Sequence, residues 1–197
     1  MTLLLLVRHA AHADVGLRLT GRADCRPLTP EGERQARALA RRLRGAGLSE
    51  VLTSPRLRAR ATAEAVASAA GVPLREEPRL DEIDFGDWTG ASFEALAGQP
   101  LWTQWNQTRG SARVPGGESM TEVAERAGAL IDTIAWGLDG LRLALVSHCD
   151  VIRAIIARVL RLPLDNLLRL EVPPASVSRI EVGPWGARLL SLNEACA

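Results

Sequence analysis

The chain has 197 residues, 47% hydrophobic and 24% charged, the make-up of an ordinary soluble globular protein of one domain. All 24 basic residues are arginine and tyrosine is absent, which excludes Schiff-base and pyridoxal-phosphate lysines, a Walker phosphate loop, and a tyrosine acid or base. Net charge is +1 with acids and bases interleaved, so nothing electrostatic points to nucleic acid.

Residues 3–7 form a continuous apolar run, which predicts a central strand buried on both faces. The run is too short for a secretory signal, and no basic segment precedes it. Thr29-Pro30-Glu31-Gly32 reads as an N-cap followed by proline at the first helical position. It opens a helix with Ala36, Leu39, Ala40 and Leu43 on one stripe, ended by Gly45 and Gly47. Val51-Leu52-Thr53 is a short strand, and Ser54-Pro55 repeats the cap-then-proline signature before a helix running to about Ala70. A short strand around Leu74 precedes a loop over residues 80–90, punctuated by Gly86 and Gly90.

Trp102 and Trp105 sit in a linking helix before the turn Pro115-Gly116-Gly117. A long helix runs from about Ser119 to Leu138, with Val123, Leu130, Ile131 and Ile134 at helical spacing. Residues 143–147 predict another buried strand, leading into a helix through Val151, Ile155 and Val159. Residues 176–182 and 187–192 predict a hairpin turning at Gly183-Pro184-Trp185-Gly186. The alternation predicts a three-layer α/β/α fold: a mostly parallel central sheet, helices on both faces and an edge hairpin. One domain over residues 1–197 is expected, with a small cap or insert at about 91–114.

Ligands of such sheets sit beyond the strand C-termini. Arg8-His9, Ser54 through Arg58, and Ser147-His148 fall at such ends. An isolated histidine is usually structural. Beside an arginine at a strand end, an imidazole can attack phosphorus while the guanidinium holds two phosphate oxygens in a fork. Arg58 lies in the first turn of its helix, where free N–H groups favour an anion, whereas Arg56 and Arg60 read as a solvated face. His148 follows its strand as His9 follows its own, so the two are expected to be neighbours. Glu82, in Leu80-Asp81-Glu82-Ile83-Asp84-Phe85-Gly86, is by itself an ordinary surface acid.

Taken in order, Leu6-Val7-Arg8-His9, Thr20-Gly21, Leu28-Thr29-Pro30-Glu31-Gly32, Ser54-Pro55 leading to Arg58-Ala59 and Thr62-Ala63, Leu80-Asp81-Glu82 through Gly90, Pro115-Gly116-Gly117-Glu118-Ser119 and Val146-Ser147-His148 resemble the histidine phosphatase superfamily of phosphoglycerate-mutase-like proteins over nearly the whole chain. The resemblance implies that His9 is the nucleophile that becomes phosphohistidine, and that Arg8, Arg58 and His148 bind the phosphoryl oxygens. Glu82 would be the general acid for the leaving oxygen and then the base for water. Arg18, Thr20 and Gly21 are expected to supply further substrate contacts. No metal and no cofactor is implied.

Departures from the family pattern are Ala10, Ala11 and His12 after the first histidine, and Cys149 after the second. Small side chains fit there provided neither Ala10 nor Cys149 needs a positive φ. Phosphoglycerate mutases carry an insertion with a lysine and an arginine pair for the substrate carboxylate; residues 91–114 hold Arg109 and Arg113 but no lysine, which favours hydrolysis. The expected activity is a metal-independent phosphomonoesterase of small phosphorylated metabolites. A cofactor-dependent phosphoglycerate mutase and a non-catalytic phospho-ligand binder are the alternatives. His9, His12, Asp14, His148 and Asp150 are also metal-site residue types, but Arg8 and Arg58 nearby oppose a divalent ion.

Trp88, Trp136 and Trp185 are expected to be packing residues, while Trp102 and Trp105 either pack or line the pocket mouth. Three cysteines far apart, with no C-x-x-C pair, suit a reduced cytoplasmic protein, and Cys149 reads as a small buried side chain without a catalytic role. No apolar run approaches a membrane span. A small phosphorylated substrate is the expected partner, with neither nucleic acid nor membrane, and a homodimer is left open.

Overall fold

The alternation of side chains along the apolar runs decides which layer each residue joins. In the computed structural model, which describes residues 1–23, 26–137 and 139–194, the strands are β1 (Thr2–Arg8), β2 (Glu50–Thr53), β3 (Leu74–Glu76), β4 (Arg142–Ser147), β5 (Val177–Gly183) and β6 (Gly186–Glu194). They form one sheet in the order β3-β2-β4-β1-β5-β6. The first four strands are mutually parallel and the β5–β6 hairpin closes one edge antiparallel. The helices are α1 (Pro30–Leu43), α2 (Leu57–Ala70), α3 (Phe93–Leu96), α4 (Pro100–Gln107), α5 (Met120–Gly137) and α6 (Cys149–Leu160).

Leu4 and Leu6 of β1, Leu52 of β2 and Leu143 and Leu145 of β4 share one core with Val123, Leu130 and Ile134 of α5 and Ile152 and Ile155 of α6. The intervening Leu5, Val7, Val51, Ala144 and Val146 turn the other way, against Leu39 and Leu43 of α1 and Ala59, Ala63 and Val66 of α2. This period of two across a two-sided sheet is the three-layer arrangement the pattern predicts. Each buried Leu or Val contributes about 1.5–3 kcal/mol relative to exposure. The register then places the site: Arg8 pairs with Ser147 and Thr53 with Val146, so β1, β2 and β4 end side by side at His9, Ser54 and His148.

Several boundaries differ from expectation. Helix α1 begins as predicted, with Thr29 Oγ accepting from Gly32 N–H at 3.1 Å. Helix α2 begins later, after Arg56, whose side chain does not cap it; the Ser54 hydroxyl accepts from Arg56 N–H at 3.3 Å and is shared with His148 and Asp81. The linking segment holds two short helices, α3 and α4, not one. The expected end of the long helix at Leu138 lies outside the described residues, as do Cys25 and Cys196.

Trp88 is buried, but Trp136 and Trp185 are 74% and 53% exposed, which corrects their reading as packing residues. Trp136 lies off the Leu130–Ile134 face of α5, and Trp185 sits in the two-residue turn between Gly183 and Gly186. Among the described residues no helix is long and apolar enough to cross a membrane.

Candidate active site

His9 leaves the end of β1 with its ring buried, and its Nδ1 lies 2.8 Å from the carbonyl oxygen of Ala10. A carbonyl only accepts, so this bond assigns the proton to Nδ1 and leaves the lone pair on Nε2. That lone pair faces Arg58, whose Nε donates to it at 3.3 Å. Burial, then the charges of Arg58 and Arg8, hold the His9 pKa well below its usual value, so the ring is neutral and nucleophilic at neutral pH.

Arg58 sits in the first turn of α2 and gathers the site around its guanidinium. Nη2 donates to the Gly21 carbonyl at 2.7 Å and to His148 Nδ1 at 3.1 Å. One helical turn on, the Thr62 hydroxyl donates to the Arg58 carbonyl at 2.8 Å and accepts from Ala10 N–H at 3.0 Å, tying α2 to the segment after β1. Arg8 is anchored through Nη1 to the Val172 carbonyl at 2.5 Å. Its Nε and the Thr20 hydroxyl are buried without a protein partner. Such orphaned polar groups cost stability in the protein alone and are expected where a polar ligand binds.

His148 is fully buried behind Arg58, its ring centroid 5.1 Å from that of His9. Because Nδ1 accepts from Arg58, Nε2 carries the proton and donates to Ser54 Oγ at 2.7 Å. Ser54 Oγ donates in turn to Asp81 Oδ1 at 3.2 Å. That oxygen also accepts from Glu82 N–H at 2.8 Å and pairs with Arg56 Nε at 3.0 Å.

Glu82 Oε2 lies 3.8 Å from His148 Nδ1, and Oε1 accepts from Ile83 N–H at 3.0 Å. Burial, reinforced by the Asp150 charge, pushes its pKa up to about 7, against the pull of Arg58 and Arg8. Its loop is pinned from outside. Arg22 Nε and Arg126 Nη2 donate to the Glu82 carbonyl at 2.9 and 3.2 Å, and Glu118 bridges both arginines while accepting from Asp84 N–H at 3.1 Å. A Cβ on Gly117 would stand 2.2 Å from the Asp84 carbonyl, and one on Gly86 2.2 Å from the Pro115 carbonyl. The Pro-Gly-Gly-Glu turn therefore has its composition because it packs backbone to backbone against the segment that carries the acid.

These groups open onto a cavity of about 380 Å³. Arg8, His9, Arg58 and Glu82 line it together with Arg18, Thr20 and Gly21, whereas His148 presents no surface to it. Gly21 contributes through its carbonyl on Arg58, in a left-handed turn with φ +51°. Arg18 reaches the Gly90 carbonyl through Nη1 at 3.1 Å.

His12, which no motif explains, lines the same cavity with its ring 5.3 Å from His9. Burial and Arg58 lower its pKa to about 4. Among the described residues neither Ala10 nor Cys149 has a positive φ, so the departures from the family pattern are accommodated without backbone strain. Burial pushes the Cys149 thiol up to about 11, which leaves it protonated and unreactive.

The relay through Ser54 and Asp81 and the buried pair of Arg109 with Asp150 at 3.1 Å were not singled out from sequence. The sequence places Ser54 at a strand end, Asp150 among metal-site residue types and Arg109 in the 91–114 stretch, but nothing in it joins them. Among the described residues no group of three or more His, Cys, Asp or Glu side chains is placed to hold a metal ion.

A sequence model of the histidine phosphatase superfamily (branch 1) matches residues 4–195. The chain belongs to that superfamily. It is 34% identical over 188 residues to the probable phosphoglycerate mutase GpmB of Yersinia pestis, covering 91% of this chain and 86% of the relative. A putative alpha-ribazole-5'-P phosphatase from Escherichia coli superposes with a TM-score of 0.87 at 27% identity, over 98% of this chain and 96% of the other. A mycobacterial glucosyl-3-phosphoglycerate phosphatase does so with a TM-score of 0.85 at 27% identity, over 98% and 99%. These relatives share the phosphoglycerate-mutase-like fold, and the two solved structures among them are named as phosphatases.

Proposed function

We propose that this histidine phosphatase is a metal-independent phosphomonoesterase acting through a phosphohistidine intermediate on small phosphorylated metabolites. The observation that carries this reading is the pairing of a neutral His9, its Nε2 lone pair against Arg58, with a Glu82 that keeps its proton near neutral pH. His9 Nε2 attacks phosphorus, the ester P–O bond breaks, and Glu82 passes its proton to the departing oxygen, releasing the alcohol. Glu82, now a carboxylate, takes a proton from water as that oxygen attacks the phosphohistidine. The P–N bond breaks, its electron pair returns to Nε2, and inorganic phosphate leaves. Arg8 and Arg58 carry the charge of the transferring group, with His148 acting behind Arg58. Arg18, Thr20 and Gly21 complete the substrate shell.

Neutralisation by arginine stands in for a divalent cation, so activity is expected to survive EDTA; loss on chelation with recovery on adding a divalent metal would overturn that part. The chemistry calls for no cofactor, no nucleic acid and no membrane, and a reducing cytoplasm suits a chain whose cysteines form no framework.

The resemblance to a relative named as a probable phosphoglycerate mutase favours a second reading, in which the phosphoryl group returns to the bound intermediate. Against it, residues 91–114 supply no lysine, and Arg109 is already paired with Asp150. The test is phosphate release from p-nitrophenyl phosphate by the wild type and His9→Ala, run beside a phosphoglycerate mutase assay. The wild type is expected to release phosphate and the variant not to. Equal rates would remove the phosphohistidine route, and fast mutase turnover with little phosphate released would favour the second reading.

A further inference from the structure

Part of the cavity is lined by rings, those of Phe85, Phe93, Trp102 and Trp105. Trp102 stacks on Trp105 with centroids 5.5 Å apart and planes 24° apart, and Phe93 leans on Trp102 at 6.2 Å. Trp105 is fully covered, but Phe93 is 38% exposed and Trp102 only partly buried, so ring surface is left at the cavity.

Two of the cations that line the cavity here, Arg109 and Arg153, are committed to Asp150, while Arg18 is held by the Gly90 carbonyl alone. Arg109 lies over the Trp105 ring at 3.8 Å, donates Nη1 to Asp150 Oδ1 at 3.1 Å and Nη2 to Asn106 Oδ1 at 2.9 Å. Arg153 donates to the same Asp150 oxygen at 3.1 Å and to the Leu170 carbonyl at 2.7 Å. A substrate carboxylate placed at Arg109 and Arg153 would have to draw these hydrogens from Asp150 while standing beside its negative charge. An uncharged ring needs none of them and gains dispersion and ring-edge attraction from Phe93 and Trp102.

We infer that this ring-lined part of the cavity selects phosphomonoesters whose leaving group is an uncharged, ring-bearing alcohol, and that Asp150 keeps Arg109 and Arg153 from taking a substrate carboxylate. The inference rests on the phosphomonoesterase reading and names the substrate class for that same site. Asp150 acts by occupying Arg109 and Arg153; Asp150→Asn leaves both guanidinium groups with unspent charge facing the cavity.

The test compares benzyl, propyl and para-carboxybenzyl phosphate, whose leaving alcohols have similar reactivity, by kcat/KM. The wild type is expected to prefer the benzyl ester over each of the others by about tenfold or more. Trp102→Ala should bring benzyl down towards propyl. Asp150→Asn should narrow the ratio between benzyl and para-carboxybenzyl about tenfold; because it also removes a charge that acts on Glu82, the ratio and not either rate is what is read. Equal wild-type rates on the three esters, or preference for the carboxylate, would overturn the inference whatever the variants do.

Binding of benzylphosphonate and para-carboxybenzylphosphonate to the wild type, measured calorimetrically, tests the same selectivity without turnover. If no ester is hydrolysed, the phosphatase reading fails on its own, and the phosphonate ratio still decides the leaving-group site: about tenfold tighter benzylphosphonate supports it, and equal affinity sinks it.

Discussion

Ser54 Oγ stands 2.7 Å from His148 Nε2 and 3.2 Å from Asp81 Oδ1, so a buried carboxylate reaches a buried imidazole through one hydroxyl. The arrangement fixes which His148 nitrogen bears the proton and leaves Nδ1 to meet Arg58 and Glu82. Ser54→Ala removes the acceptor for Nε2–H and leaves a buried donor unsatisfied. A bond of this kind is worth about 1–3 kcal/mol, so kcat should fall roughly tenfold to a hundredfold, and Asp81→Asn less. Steady-state kinetics on a slow alkyl phosphate, beside 15N NMR of the His148 tautomer, checks this. An unchanged tautomer and rate in Ser54→Ala would refute the relay.

Activity on alkyl phosphates should fall as pH rises through about 7, because Glu82 must be protonated to act as the acid and burial has raised its pKa to about that value. Glu82→Gln should lose most of the rate on alkyl esters and flatten the alkaline limb. On p-nitrophenyl phosphate, whose leaving group needs little protonation, the loss should be smaller. The contrast between the two pH profiles is the measurement.

Arg58→Lys keeps the charge but not the fork. Nε on His9, Nη2 on Gly21 and His148, and Nη1 towards the Ala23 carbonyl at 3.4 Å cannot all be served by one ammonium. The substitution should cost about a hundredfold or more in kcat/KM, equivalent to about 3 kcal/mol. Retention of wild-type efficiency would mean that charge alone suffices.

Acid should destabilise the fold through its histidines. His9, His12 and His148 are all held below their usual pKa, the first cause in each case being burial. A group depressed in the folded state contributes stability that is complete above its unfolded value of about 6.5 and lost as pH falls from there. For His12 the loss continues to about 4. Urea midpoints should therefore drop between about pH 7 and pH 5, and less so in His12→Gln. A variant as acid-sensitive as the wild type would acquit His12.

Gly117→Ala should destabilise by about 2 kcal/mol or more, since its Cβ would meet the Asp84 carbonyl at 2.2 Å. The same push moves the segment carrying Glu82, so kcat on alkyl esters should fall further than on p-nitrophenyl phosphate. Thermal melts and the two assays separate the effects.

The apolar runs of β1, β2 and β4 were legible because a strand buried on both faces leaves no polar alternative, and once those runs are parallel, His9 and His148 must emerge together. The arginine and glutamate of the site were legible as positions within family motifs. The relay was not, because Ser54, Asp81 and His148 meet only through sheet order, which the sequence does not print. His12 was left without a role because its place beside His9 depends on the path of the segment after β1, where it pairs with Leu28. The exposure of Trp136 and Trp185 was hidden because a ring's burial depends on what lies across from it, not on its own hydrophobicity.

The Ala10 carbonyl has a regiochemical consequence. With Nδ1–H spent on it at 2.8 Å, the far nitrogen of the imidazole is the one left to attack phosphorus, so the intermediate of the proposed route would be one isomer of phosphohistidine. Antibodies raised against the Nδ1-phosphoryl isomer should pass this protein by in the middle of turnover, while those against the Nε2 isomer detect it.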